Sequence, residues 1–388
     1  MDVAVVNCEN YQIENVAKAV DEMFDALGGI QNVVKPNQKV FLKANLVRDM
    51  PPDKAATTHP AVIAAIAKKL REECGATVTV GDSCGGAFTR AYMTNVYHGT
   101  QMDVACQASG ATLNDDFTYS NVSVNGKVVH KTDIINAFLN ADAVINVAKL
   151  KTHSFTGYSG AVKNLFGIIP GLVKVEMHSK YPDLESFSDC LIDIEQFAKS
   201  KIVLHVIDGV VGMEGEGPTN GKPKKIGKLL AGKNPYWTDI AAVSLFANPF
   251  EMPLLKRAEQ RGIVEKNYKE VCDFDFDALE QERIADFKKI DVLPNFFING
   301  LPQFLRRFFR NNMTKKAKIV KNKCRGCGKC KQHCPAQAIE IKNGKAKIRQ
   351  NVCIRCYCCQ ELCPFDAVKF KKPMVYRVVR SFSSSSSR

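Results

Sequence analysis

Residues 324–335 read Cys324-Arg325-Gly326-Cys327-Gly328-Lys329-Cys330-Lys331-Gln332-His333-Cys334-Pro335. Residues 353–364 read Cys353-Ile354-Arg355-Cys356-Tyr357-Cys358-Cys359-Gln360-Glu361-Leu362-Cys363-Pro364. Both follow Cys-x-x-Cys-x-x-Cys-x-x-x-Cys-Pro. A thiolate is a soft ligand, and two residues between ligands let a turning backbone aim three sulfurs at one iron–sulfur cubane. The Cys before each proline lies too far along to close its own cluster, so it crosses to the other. The spacing therefore assigns Cys324, Cys327, Cys330 and Cys363 to one 4Fe-4S cluster. Cys353, Cys356, Cys359 and Cys334 are assigned to a second. A zinc site takes its four ligands as two pairs and has no use for the third Cys or the Cys-Pro. Cys358 stands outside the pattern, beside ligand Cys359, and is given no role.

On these residues the stretch 318–372 resembles the bacterial two-cluster ferredoxin family. The resemblance implies a small α+β domain of pseudo-twofold symmetry that carries single electrons. The chain has 388 residues, 45% of them hydrophobic, which is enough for one large core beside that domain. No basic start with a long apolar run is seen, and no stretch reaches the roughly 18 apolar residues of a membrane span. A reducing cytoplasm, in an anaerobic or oxygen-sheltering organism, is the expected setting for so many thiolates. The net charge of +14 is unevenly placed: Leu301 to Arg388 holds 22 Lys and Arg against three acids, and residues 1–300 hold 32 against 37. Nucleic acid is not expected, because no aromatic-interleaved binding motif accompanies the bases. An acidic redox partner protein, or compensation of the anionic clusters, accounts for the basic end.

Ahead of the cysteines, apolar runs alternate with amphipathic stretches. Strands are expected over 3–8, 39–42, 77–80, 143–147, 202–207 and 228–231. Helices are expected over 14–27, 61–74, 133–140, 185–199 and 237–246. Residues 121–130 alternate around Asn125-Gly126, a hairpin signal. This predicts an α/β body over 1–293 with a mostly parallel sheet and polar residues at strand C-terminal ends. Over 294–317, Phe304, Leu305, Phe308 and Phe309 alternate with Arg306, Arg307 and Arg310. That pattern is either a linker helix packed on the body or a membrane-surface helix. Residues 373–388 form a basic, Ser-rich tail.

The densest polar run of the body is Lys149-Leu150-Lys151-Thr152-His153, then Gly157 to Asn164, then Gly167-Ile168-Ile169-Pro170-Gly171. Glycines let a backbone approach a ligand, three lysines attract an anion, and His153 can shuttle protons or bind metal. A loop over 149–171 that binds an anionic small molecule or cofactor is the expectation. No dinucleotide fingerprint or Walker A motif occurs. Asp82 and Asp208 each end an apolar strand, as turn caps or as ligands. Glu214-Gly215-Glu216-Gly217-Pro218 is a solvated turn or a carboxylate pair for a cation. His59 reads as helix-entry geometry, His205 as a core histidine, and Asp239 as the cap of the helix it opens.

Lys43-Ala44-Asn45, Gly81-Asp82-Ser83, Lys151-Thr152-His153 and Gly160 to Gly167 resemble the domain-of-unknown-function family three-six-two. The similarity covers about residues 3–300, and that family is often fused to two-cluster ferredoxin domains. Lys43, Asn45, Asp82, Lys151, Gly160 and Asn164 are the expected cofactor-binding residues. A second similarity runs through His153, Gly157 to Gly160, Lys163, Pro170-Gly171 and His178, to the lactate racemase family that uses a nickel-pincer nucleotide. It implies Lys163 as a covalent tether, His178 as a nickel ligand and His153 as acid/base. The sequence departs from that family where Ala161-Val162 precede the lysine and Asn164 to Gly167 interrupts the glycine–proline ending; racemases also lack ferredoxin domains. The chain is thus expected to be an iron–sulfur redox protein exchanging electrons with a site in its body, with His153 and Lys163 the catalytic candidates. The alternatives are an electron-transfer or scaffold protein without its own reaction, and a nickel-cofactor enzyme.

Overall fold

The computed structural model describes residues 1–290, 302 and 314–371. Most of the expected linker over 294–317 and the whole tail over 373–388 lie outside them. The described residues 1–290 hold ten strands: β1 (Val3–Asn7), β2 (Lys39–Lys43), β3 (Thr77–Gly81), β4 (Thr112–Leu113), β5 (Tyr119–Ser123), β6 (Lys131–Ile135), β7 (Ala143–His153), β8 (Gly157–Ser159), β9 (Ile202–Glu214) and β10 (Lys222–Gly232). The main sheet runs β1-β10-β9-β7-β2-β3-β4, with β8 paired to β7. From β9 to β4 every pairing is parallel, while β1, β10 and β8 join antiparallel.

Helices cover both faces, so the central strands are apolar on both sides. Every residue of β7 is buried. Val144, Ala148 and Leu150 enter one core, which also holds the helices Leu184–Ala198 and Pro235–Ser244. Ala143, Ile145 and Val147 enter the other, with the helices Ile13–Ala26 and Pro60–Cys74. The first of these last two stops at Gly28-Gly29, both at positive φ. In the second, Pro60 follows the N-cap His59, whose ring nitrogen accepts the Ala61 N–H, and Gly75 terminates it in the left-handed region.

Several expected bounds move. Lys149 to His153 belong to strand β7, not to a loop, because β9 pairs one edge and β8 folds back on the other after Gly157 at φ +80°. The segment 133–140 divides into β6 and one helical turn, Asn136–Leu139, since β6 pairs with β5 as the hairpin. The Gly-rich stretch after Ile207 continues as a long β9–β10 hairpin.

Beyond the body, β11 (Lys316–Ile319) pairs with β14 (Val368–Lys371), and β12 (Ile339–Lys342) with β13 (Lys345–Ile348), all antiparallel. The short helices Lys329–Gln332 and Cys358–Glu361 complete two similar halves. Strand β11 begins inside the range expected for the linker.

Candidate functional site at the junction of body and cluster domain

In the small domain the eight motif cysteines gather into two groups of four. One cavity is lined by Cys324, Cys327, Cys330 and Cys363. A second is lined by Cys334, Cys353, Cys356 and Cys359. Backbone N–H groups of Ala338, Ala346 and Ala367 donate to the sulfurs of Cys334, Cys324 and Cys363 at 3.2, 3.4 and 3.3 Å. Such donors favour thiolate over thiol, so the donor sets fit cubane clusters. Gly326 and Gly328 take positive φ between the motif cysteines of the first half; the corresponding Arg355 and Tyr357 do so in the second, at +63° and +65°.

The body's cavity, about 90 Å³, lies at the C-terminal ends of β2, β3 and β7, where binding sites of parallel sheets form. Asn45 follows β2, Asp82 to Gly85 follow β3, and Lys151 and His153 close β7. Ser159 ends β8, Lys163 and Asn164 lie on the helical turn Ala161–Asn164, and Lys174 and His178 come from the helix Gly171–Lys180. Further body residues, Phe166 and Pro218 among them, line it too, and one wall belongs to the small domain: Cys358, Glu361 and Leu362.

The two domains meet through specific contacts around this cavity. His153 Nε2 lies 3.1 Å from Glu361 Oε1. Gln360 donates to the Glu216 carbonyl at 2.9 Å, Asn220 to the Val368 carbonyl at 3.3 Å, and Arg48 pairs with Asp366 at 3.2 Å. The Tyr357 ring packs edge-on to Phe155 and Phe370. The turn from Glu214 to Pro218 receives the small domain: Lys369 approaches Glu216, while Glu214 accepts the Lys288 N–H at 2.9 Å.

The polar groups form a connected net. Lys43 pairs with Asp82 at 2.6 Å, both buried, and Asp82 also accepts the Leu46 N–H. Lys151 donates to Asn45 at 2.6 Å, Asn45 to Asn164 at 2.7 Å, and Asn164 to Asn146 at 2.8 Å. Lys174 donates to the Ser83 and Cys84 carbonyls. Burial lowers the lysines: Lys151 to about 7, with Lys163 beside it adding to the effect, and Lys174 to about 8. Lys163, partly exposed, is also lowered by desolvation, against the pull of Glu361. The His153 Nδ1 accepts the N–H groups of Phe155 and Thr156 at 3.2 and 3.3 Å. Burial, then Lys163, brings that ring down to about 4, so it is neutral at pH 7 with its proton on Nε2, toward Glu361. Burial alone would raise the Glu361 carboxyl; His153, Lys163 and His178 outweigh it and hold it at about 2. His178 is lowered to about 3 by burial; it stacks on Phe187 at 4.5 Å, and its Nδ1 has no partner among the described residues.

Of the residues singled out in the sequence, Asn45, Asp82, Lys151, His153, Lys163, Asn164 and His178 line one cavity. Lys43 and Gly160 stand behind its wall. A Cβ on Gly160 would fall 2.0 Å from the Tyr158 hydroxyl and 2.1 Å from Asp239, so the glycine serves packing. Asp239 caps a different helix from the one expected. It accepts the Ala161 and Val162 N–H groups at 2.6 and 3.1 Å, while Asn234 caps Pro235–Ser244. Lys149 and Asp208 pair with each other at 2.8 Å across neighbouring strands, joined by Tyr11, away from the cavity lining. His205 is buried against Asn146, a core histidine. Lys174, Ser83, Glu361 and Cys358 were not singled out as site residues. The last was legible only as a cysteine that the cluster spacing leaves over.

Residues 40–244, just over half of the chain, match the family described as Domain of unknown function (DUF362). The chain belongs to the DUF362 family. Residues 316–364 match the 4Fe-4S dicluster domain. The chain is similar to the thylakoid-associated protein sll1697 of Synechocystis sp., 26% identical over 319 residues that cover 80% of this chain and 94% of that protein. Among solved structures it is similar to the lactate racemase apoprotein from Thermoanaerobacterium thermosaccharolyticum, at TM-score 0.40 and 14% identity, covering 58% of this chain and 54% of the racemase. The chain therefore spans about half the length of that structure. A Thermotoga maritima protein shares 10% identity at TM-score 0.33, covering 59% of this chain and 57% of its own. In this DUF362 protein the family match ends before the dicluster domain, so the cavity of the body is completed by residues outside the family's own span. Among the described residues no helix is long and apolar enough to cross a membrane.

Proposed function

We propose that this DUF362 protein is an iron–sulfur oxidoreductase whose dicluster domain exchanges electrons with a small anionic molecule held in the junction cavity. Cys324, Cys327, Cys330 and Cys363 hold one 4Fe-4S cluster; Cys334, Cys353, Cys356 and Cys359 hold the other. When bound, each cluster supplies one electron at a time. The observation that carries the reading is that the helix bearing ligand Cys359 also carries Cys358 and Glu361 into a cavity lined by Lys151, Lys163, Lys174, His153 and His178. Lys151 and Lys163 attract the anion, and Asn45 and Asn164 orient it by hydrogen bonds. Lys163 and Lys151, held as ammonium by the bound anion, give up protons to the molecule as electrons arrive, and the neutral His153 orients it with its Nε2–H. Reduction by two electrons takes one from each cluster and two protons, with an acidic carrier protein as the external donor. A reducing compartment such as the cytoplasm, free of oxygen, suits the thiolate ligands.

One observation favours a second reading, a nickel cofactor: the Nδ1 of His178, without a partner among the described residues, shares the cavity with Lys163 and His153. Anaerobic purification with metal and sulfide analysis separates the two. About eight iron and eight sulfide per chain, with a small anion retained by the protein and lost on Lys163→Ala, is the expected result. Stoichiometric nickel, or a mass adduct on Lys163, moves the assignment to the cofactor enzyme. Full clusters with no ligand retained and no effect of Lys163→Ala leave an electron-transfer protein without a reaction of its own.

A further inference from the structure

The two halves of the cluster domain superimpose in sequence with an offset of 29 residues. Strands Lys316–Ile319 and Lys345–Ile348 correspond, as do the helices Lys329–Gln332 and Cys358–Glu361. Their outward faces differ in a directed way. The second helix is turned into the body, with Cys358, Cys359 and Gln360 buried. The first has no buried residue. Where the second half carries Gln350, Val352, Ile354, Cys358 and Gln360, the first carries Lys321, Lys323, Arg325, Lys329 and Lys331. All five of these bases are exposed, and none pairs with an acid among the described residues. No Asp or Glu occurs between Lys316 and Ile339. At the centre of this face is Cys327, the exposed member of its cysteine group, and beside it Phe365 is 41% exposed.

We propose that this face is the docking surface for an acidic electron-carrier protein, and that electrons enter at the cluster of Cys324, Cys327, Cys330 and Cys363. They then pass to the second cluster, whose Cys359 shares the helix Cys358–Glu361 with the cavity-lining Cys358 and Glu361. The proposal rests on the reading of the domain as an electron relay and adds its entry point and order. The same element that docks on the body in one half is free in the other, and its neutral positions are replaced by cations. A carrier with an acidic rim around its redox centre is complementary to five bases and an exposed ligand. The chain's own segments outside the described residues are unsuited to cover it, because residues 291–301, 303–313 and 372–388 together hold seven bases and one acid. Like charges would meet there.

The test is stopped-flow reduction of the holoprotein by an acidic flavodoxin in its hydroquinone form, following the flavin. Three proteins are compared: the wild type, Lys321→Glu/Lys323→Glu/Lys329→Glu/Lys331→Glu, and the body control Lys35→Glu/Lys131→Glu. The wild-type bimolecular rate should fall steeply between about 50 and 500 mM salt. The fourfold variant should be slower by about tenfold or more at low salt and lose that salt dependence. It should keep its cluster EPR signals and its direct reduction by dithionite. An unchanged rate in the fourfold variant, an equal loss in the body control, or a wild-type rate that ignores salt overturns the assignment of this face. Clusters that dithionite cannot reduce would instead sink the relay reading, and the proposal with it.

Discussion

Tyr357 is where the junction is most exposed to test. It stands at φ +65° between the motif cysteines Cys356 and Cys359, where the first half has Gly328 at φ +82°. A residue with a Cβ in this region costs about 1–2 kcal/mol. The ring compensates by burial at 6% exposure, by edge contacts to Phe155 of the body and Phe370, and by donating its hydroxyl to the Lys315 carbonyl at 2.9 Å. Truncating a buried aromatic of this size to alanine costs about 3–5 kcal/mol. Alanine keeps the backbone penalty and loses the compensation. Glycine loses the same contacts but relieves the backbone, at about 0.5–1 kcal/mol of extra chain entropy. Tyr357→Gly should therefore be less damaging than Tyr357→Ala by roughly 0.5–1 kcal/mol, the reverse of the order in a helix interior. Cluster proteins unfold irreversibly, so a rate is the proper observable. Loss of the visible cluster absorbance in guanidinium under argon should be slowest for wild type, faster for Tyr357→Gly and fastest for Tyr357→Ala, the two variants differing about two- to fivefold. Alanine bleaching as slowly as glycine, or more slowly, would refute the argument that a left-handed backbone is stabilised here by the ring.

Other expectations follow from the buried charges. Binding of inorganic phosphate or another small anion in the cavity should take up protons, because Lys151 and Lys174 are depressed to about 7 and 8 and an anion restores them. Affinity measured by calorimetry should weaken as pH rises above about 7, by up to tenfold per unit for each lysine engaged; an affinity flat across this range contradicts it. Asp208→Ala leaves Lys149 buried and unpaired, and should destabilise the body by about 3–5 kcal/mol, read as a fall in Tm; a change within the scatter of surface variants is the opposing outcome. Gly167→Ala places a Cβ 2.3 Å from Asp82 and 2.5 Å from Lys43. Overpacking of this kind costs about 1–3 kcal/mol, and a Tm equal to wild type would show that the pair yields without loss.

The parts of this structure that sequence reveals are those with short-range periodicity. Strand β2 and the first half of β7 are apolar on both faces, β3 alternates threonine with valine, and the helices Ile13–Ala26 and Pro60–Cys74 carry glycine stops, so their existence is written locally. The extension of β7 through His153 is not local. Lys149, Lys151 and His153 are polar, and they remain in a buried strand only because Asp208, Asn45 and Glu361, from 59, 106 and 208 residues away, meet them. Pairing across such distances leaves no trace in composition. The same reason hid Lys174, which reads as an ordinary helix lysine until Ser83 and Cys84 turn their carbonyls toward it.

The cavity's missing wall carries the broader point. The site in the body was legible as a basic, glycine-rich run, yet its occupant's surroundings depend on a domain more than 100 residues further along. Comparing the two cysteine repeats with each other, position by position, would have pointed there. In one repeat Arg325, Lys329 and Lys331 stand solvated between the cysteines; the equivalent positions of the other hold the uncharged Ile354, Cys358 and Gln360. A cluster motif that spends its charged positions on one side and withdraws them on the other has two neighbours of different kinds. The withdrawn side faces the body, where Glu361 meets His153; the charged side is the one proposed to receive a carrier. Exchanging the two, with Gln360→Lys in the buried helix, buries a longer, charged side chain at the junction in place of the amide that binds the Glu216 carbonyl. That variant should hold both clusters while losing the anion site, whereas unchanged anion binding would mean that the junction tolerates charge and that the asymmetry of the repeats has another cause.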